Sequence, residues 1–183
     1  MRQVRRIALT VLLAAGMIAV LSSVALADVA PGTYTPTSSS FNPANAPGSS
    51  HLSSGRPECT VNPDLSITCS SYVLGGVGHT NASVSLVASY SATIDCTNPG
   101  GNLVESHTTT FSSSSTATVT STRNGQLNVP AQSVSPFTAP QVCPNPLWTP
   151  SIREGTLTIN MFTYTLTFQG FQSPYITISA TDP

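Results

Sequence analysis

Along residues 82–96 apolar and polar side chains alternate: Val84, Leu86, Ala88, Tyr90, Ala92, Ile94 and Cys96 fall in one phase, and Ser83, Ser85, Ser89, Ser91 and Thr93 in the other. A period of two turns one set toward a core and the other toward water, so the segment predicts a half-buried β-strand. Residues 155–168 alternate in the same way with one slip, Leu157, Ile159 and Met161 in one phase and Phe162, Tyr164, Leu166 and Phe168 in the next. That slip predicts a β-bulge near Met161-Phe162, because without it half the strand would present its apolar residues to solvent. Shorter runs predict strands at 57–61, 65–73, 103–111, 116–122, 126–129 and 175–181. No stretch beyond residue 27 has a helical period.

Turn residues set the register of two hairpins. Around Asn124-Gly125, a two-residue loop would put Thr122 opposite Leu127 and Thr120 opposite Val129. A three-residue loop, Arg123-Asn124-Gly125, instead pairs Val119 with Val129 and leaves Gly125 where a left-handed residue is wanted, and it is the expectation. The same reasoning over 62–65 centres a loop on Asp64, which sets Val61 opposite Ile67 and Cys59 opposite Cys69. Facing cysteines in a non-hydrogen-bonded pair lie within bonding distance. The expected bridges are therefore Cys59–Cys69 and, by elimination, Cys96–Cys143, the second read as a tie between two sheets. About eight strands joined by turn-rich segments mean a sandwich or a closed barrel. The expectation is an all-β, antiparallel, immunoglobulin-like β-sandwich with two disulfides, a small β-barrel being the alternative. The Cys…Trp…Cys order of antibody domains is missing, since Trp148 follows the last cysteine.

The first 27 residues read as a secretory leader, with Arg2, Arg5 and Arg6 before an apolar run from Ile7 to Leu21 and the small-residue ending Ala25-Leu26-Ala27. No second apolar stretch of spanning length follows, so the mature chain is expected to be secreted and free of the membrane. Four cysteines, all in the exported part, fit an oxidising compartment. Residues 28–56 are rich in Pro, Ser, Thr, Gly and Asn and predict a disordered tether ahead of a β domain at 57–183.

Charge narrows the chemistry. Removing the leader leaves three arginines, no lysine and seven acids, a net −4. Such a chain has no basic stripe to displace counterions from phosphates, which excludes nucleic-acid binding. No G-x-S-x-G elbow occurs, and no acidic loop has calcium-ligand spacing. The cysteines lack a C-x-x-C pair, and His51, His79 and His107 are scattered, so neither a metal nor a cofactor is expected. The carboxylates that might pair across a substrate are Asp95 with Glu105 and Glu58 with Asp64, and the reading given to both pairs is solvated strand ends. The chain is not read as an enzyme. Three residues are singled out as a candidate binding surface: Trp148, which either stacks on a sugar ring or plugs the core, and His79 and His107. Asn81-Ala82-Ser83 matches the N-glycosylation triplet.

The segments Thr68-Cys69-Ser70-Ser71-Tyr72, Cys96-Thr97-Asn98-Pro99-Gly100-Gly101-Asn102, Arg123-Asn124-Gly125-Gln126-Leu127 and Cys143-Pro144-Asn145-Pro146-Leu147-Trp148-Thr149-Pro150 resemble a group of small exported actinobacterial proteins. The resemblance implies a setting and carries no functional residue. The function expected is a secreted, non-catalytic interaction module whose partner is a carbohydrate or a protein. The alternatives are a structural or self-associating surface protein and a carrier for a small apolar ligand, with the domain a monomer or weakly self-associating.

Overall fold

A computed structural model describes residues 28–136 and 138–181, and the expected leader lies outside the described residues. Among the described residues twelve strands follow one another: β1 (Gly32–Tyr34), β2 (His51–Gly55), β3 (Cys59–Val61), β4 (Ile67–Cys69), β5 (Tyr72–Gly75), β6 (Ala82–Thr97), β7 (Leu103–Val119), β8 (Leu127–Val129), β9 (Gln132–Val134), β10 (Thr149–Ile152), β11 (Thr158–Phe168) and β12 (Ile176–Thr181). The helical elements among the described residues are two single 3-10 turns, Ser38–Ser40 and Pro43–Asn45. All strand pairs are antiparallel.

The first layer runs β7–β6–β11–β12, with β10 continuing the line of β11 along the same edge of β6. The second layer is built from β1–β3–β4–β9 and β2–β5–β8. These two pieces share one ladder, because Ile67↔Val134 to Cys69↔Gln132 and Tyr72↔Val129 to Leu74↔Leu127 keep a single register. The ladder breaks where Pro130 has no N–H to donate and where Ser70 turns toward β3, its N–H bonded to the Glu58 carbonyl at 2.9 Å. The predicted strand at 65–73 is thus one line interrupted at its centre. Leu86, Phe162 and Leu166 of the first layer and Ile67, Leu74 and Leu127 of the second bury into one core. The Tyr72 and Tyr164 hydroxyls meet across it at 3.0 Å. Both layers keep open edges, so the molecule is a sandwich and the barrel alternative is set aside.

The Asp64 hairpin has the expected register, Cys59↔Cys69 and Val61↔Ile67, and both bridges, Cys59–Cys69 and Cys96–Cys143, are formed. Cys143 lies in the connection between β9 and β10, so its bridge clamps that connection to the far end of β6 and does not tie two sheets. The bulge is present one residue early: Ile159 pairs with Tyr90 and Met161 with Ser89, which makes Asn160 the extra residue and turns Met161 outward.

Three further expectations are corrected. The strands at 103–111 and 116–122 are a single one, β7, which pairs with β6 from Leu103 to Val119. The loop Arg123-Asn124-Gly125 closes as a three-residue turn, with Gly125 at φ 70° and the Thr122 N–H on the Gln126 carbonyl at 2.7 Å. Its flanks then part, since Val119 pairs with Ala82 while β8 crosses to β5 in the other layer.

The third correction is the tether. In the structure residues 28–55 are part of the sandwich: β1 extends β3, β2 extends β5, and Val29 and Ala46 lie in the core. The segment is held by docking points that composition does not reveal. The Asp28 carboxylate accepts the Ile159 N–H at 2.6 Å, the Val29 N–H bonds the Ile159 carbonyl at 3.1 Å, and the Tyr34 ring meets Phe162 edge-on at 5.2 Å. A polar segment that uses existing sheet edges for its amides needs only a few apolar anchors to offset its ordering entropy.

Candidate functional site

Alternation that sends apolar side chains inward sends hydroxyls outward, and pairing puts them in rows. Across the outer face of the first layer Thr116, Ser85, Thr165 and Thr177 share one row, and Thr118, Ser83 and Thr167 another. The central rows carry Ser114, Val87, Thr163 and Ser179, then Ser112, Ser89, Met161 and Thr181. Neighbouring hydroxyls bond one another, Ser91 with Thr110 at 3.1 Å and Thr93 with Thr108 at 3.3 Å. Asn160, the bulge residue, donates to the Ser91 hydroxyl at 2.8 Å. Val87 and Met161 are exposed amid these hydroxyls and supply an apolar centre. The rows contain no ionisable side chain until the far end of the sheet.

At that end Asp95 is gripped by Arg153. The guanidinium donates from Nη2 to Oδ1 at 2.6 Å and from Nε to Oδ2 at 3.1 Å, and the Ser106 hydroxyl donates to Oδ1 at 2.7 Å. The Arg153 guanidinium, with Ser106 beside it, holds the Asp95 carboxyl below the usual carboxylate range. On the opposite face of the same hairpin Glu105 Oε1 and His107 Nε2 lie 3.0 Å apart. Cys96, Glu105 and His107 place a sulfur, an oxygen and a nitrogen within 4.8 Å. The Cys96 sulfur is committed to its disulfide and has no thiolate to offer, so two ligand atoms remain.

The candidate pairs of carboxylates separate. Asp95 points outward, while Glu105 sits opposite Cys96 on the inner side, so no substrate can lie between them. Glu58 precedes β3, and Asp64 caps the turn at its other end, held low by the Ser66 hydroxyl and amide. Trp148 is half-buried in a turn closed by its own N–H on the Asn145 carbonyl at 3.0 Å. His107 shares that end of the sheet. His79 is exposed ahead of β6 at the opposite end, roughly 40 Å of strand away, so the three residues do not form one surface. Asn81 plays a structural part, since its Oδ1 accepts the Ser121 N–H at 3.0 Å and joins the start of β6 to the exit of β7.

Sequence reasoning missed the Asp95–Arg153 grip, because Arg153 arrives through a connection without periodicity. It also missed the breadth of the hydroxyl face, which needs β7 to be continuous. The seven hydroxyl residues at even positions from Ser106 to Thr118 were the available signal. Compared with protein-family models, curated proteins and solved structures, the chain matches none.

Proposed function

We propose that this chain is an exported, non-catalytic interaction domain, and that it binds through the outer face of β7, β6, β11 and β12. The observation that carries this reading is the in-register array of hydroxyls, free of charge over most of its length, around Val87 and Met161. Neutral hydroxyls make weak, geometry-dependent hydrogen bonds, and many in rows suit an extended, hydroxyl-rich polymer that meets them repeatedly. Val87 and Met161 offer apolar contact to the C–H faces of sugar rings. We therefore favour a neutral polysaccharide of the cell envelope over a protein as the partner. Two formed disulfides fit an oxidising compartment, and the likeness to exported actinobacterial proteins supports the same setting. The carrier reading has less support, since Tyr72, Tyr164 and Phe162 fill the space between the layers.

Retention of envelope polysaccharide on the immobilised, oxidised domain tests the proposal. Thr163→Lys and Ser89→Lys each place a bulky charge in the array and are expected to abolish retention, while Glu154→Gln, on an exposed turn, leaves it intact. Retention that survives both lysines, or no retention by the unaltered domain, overturns the reading.

A further inference from the structure

We propose that the outer edge of β7 is a self-association site, to which a second copy of the chain adds its own β7 antiparallel, about a two-fold axis through Phe111. β7 is the longest strand among the described residues, and β6 is its sole sheet partner there. Natural sheet edges are guarded by proline, lysine, bulges, short length or inward-pointing charges. β7 has neither proline nor lysine nor arginine, and its one register shift lies at the hairpin tip, beside Cys96 and Thr97. Its inward-pointing ionisable groups, Glu105 and His107, sit close to that tip and contact each other, which leaves residues 108–119 without such a guard.

The free amides can be assigned. Thr93 directs both backbone groups away from β7, its carbonyl accepting the Arg153 N–H at 2.8 Å and its N–H bonding the Thr156 hydroxyl at 3.0 Å. Backbone direction alternates along a strand, so the even residues of β6 face β7, and in β7 the odd residues are the ones that bond back. The even residues of β7, from Ser106 to Thr118, therefore present their N–H and C=O groups to the open edge.

A second copy matches this edge by construction. Phe111 is the midpoint of Leu103–Val119, so full-length antiparallel overlap of β7 with itself centres there. Thr110 then exchanges hydrogen bonds with Ser112 of the second copy, and Thr108 with its Ser114, so even residues meet even residues. On the outer face hydroxyl meets hydroxyl, as already happens between Ser91 and Thr110. On the inner face the two Phe111 rings, each stacked on its own Tyr90 at 5.8 Å, come together as a non-hydrogen-bonded pair, whose side chains lie closest. Glu105 and His107 are the ionisable groups of β7, and they fall opposite Ala117 and Ser115, so no like charges oppose. A foreign strand would need this length, face pattern and neutrality independently. The pairing makes one continuous sheet and doubles the hydroxyl surface.

Sedimentation equilibrium of the purified, oxidised domain over a concentration series, with no glycan present, tests this separately from the binding proposal. The unaltered domain is expected to pass from monomer to dimer. Ser112→Pro removes an open-edge donor while sparing the β6 ladder and is expected to weaken association at least about tenfold. Should the proline disturb folding, Ser112→Lys blocks the same edge with charge and gives the same result. Under oxidation Phe111→Cys is expected to cross-link two copies through position 111, whereas Ser113→Cys, which faces Thr109 of the second copy, is not. A monomer throughout the series overturns the proposal, even one that takes up an added extended peptide. So does a dimer of equal strength in both Ser112 variants, or cross-linking of the Ser113→Cys variant in place of the Phe111→Cys variant.

Discussion

Leu65 holds a left-handed backbone at φ 64°, the one non-glycine residue to do so among the described residues. It sits where a three-residue hairpin loop usually takes glycine. Its side chain packs on the core, and its carbonyl accepts the Tyr90 hydroxyl at 3.3 Å. Packing thus offsets a backbone cost of about 1–2 kcal/mol. Leu65→Ala is expected to be less stable than Leu65→Gly by about 1 kcal/mol in urea unfolding, because alanine loses the packing and keeps the strain. The opposite order would show that the turn stores none. A second residue-scale prediction concerns tyrosine. Burial pushes the Tyr90 and Tyr164 hydroxyls from an ordinary 10.0 up to about 12, and burial raises Tyr72 as well. These groups release protons more readily when unfolded. Stability is therefore full below about pH 10 and falls as pH rises toward 12, a decline that denaturant midpoints measured across that range should record. Tyr164→Phe leaves the Tyr72 hydroxyl unpaired and is expected to cost about 1–3 kcal/mol at neutral pH. At this scale the cysteines are legible, since Cys59 and Cys69 flank one short turn, whereas the tyrosine pair joins residues far apart in sequence and reads as two ordinary core aromatics.

At the scale of elements, β6 is readable because apolar residues mark every second position. β7 reads as two strands because Ser112 to Ser115 carries no alternation at all. The physical reason is its place at the sheet edge, where inward side chains are half covered and need not be apolar. β10 escapes the pattern for a related reason: Pro150 and short length suit an edge segment and disguise it as loop. The two bridges differ in what they hold. Cys59–Cys69 closes a short hairpin, while Cys96–Cys143 secures the far end of β6, where Ala92, Ile94 and Cys96 are buried apart from the main core. Chain-entropy arguments give about 3 kcal/mol for the shorter loop and about 4 kcal/mol for the longer. Replacing Cys96 and Cys143 by serine should therefore destabilise more in denaturant titration. It should also speed hydrogen exchange in residues 92–97 and 103–109 ahead of residues 82–88. Uniform acceleration along both strands would contradict this division.

For the whole molecule, alternation and turn chemistry suffice for an antiparallel sandwich with two bridges, but not for the assignment of strands to layers. That assignment depends on β8 leaving β7 for β5, a choice made by competition between partners and not by local pattern. The largest revision is the segment 28–55, whose low apolar content conceals Val29, Tyr34 and Ala46 as anchors. Deleting residues 28–50 is expected to cost at least about 3 kcal/mol, read as a lower thermal midpoint, from the apolar surface uncovered. A dispensable tether would leave that midpoint unchanged. The Asp28–Ile159 hydrogen bond spans 131 positions. A chain made amino end first cannot make this closing contact until Ile159 has also been added. Such long-range closure is slow. Thus the same wiring that completes the native sheet also places its completion last, after almost the whole described chain has been made.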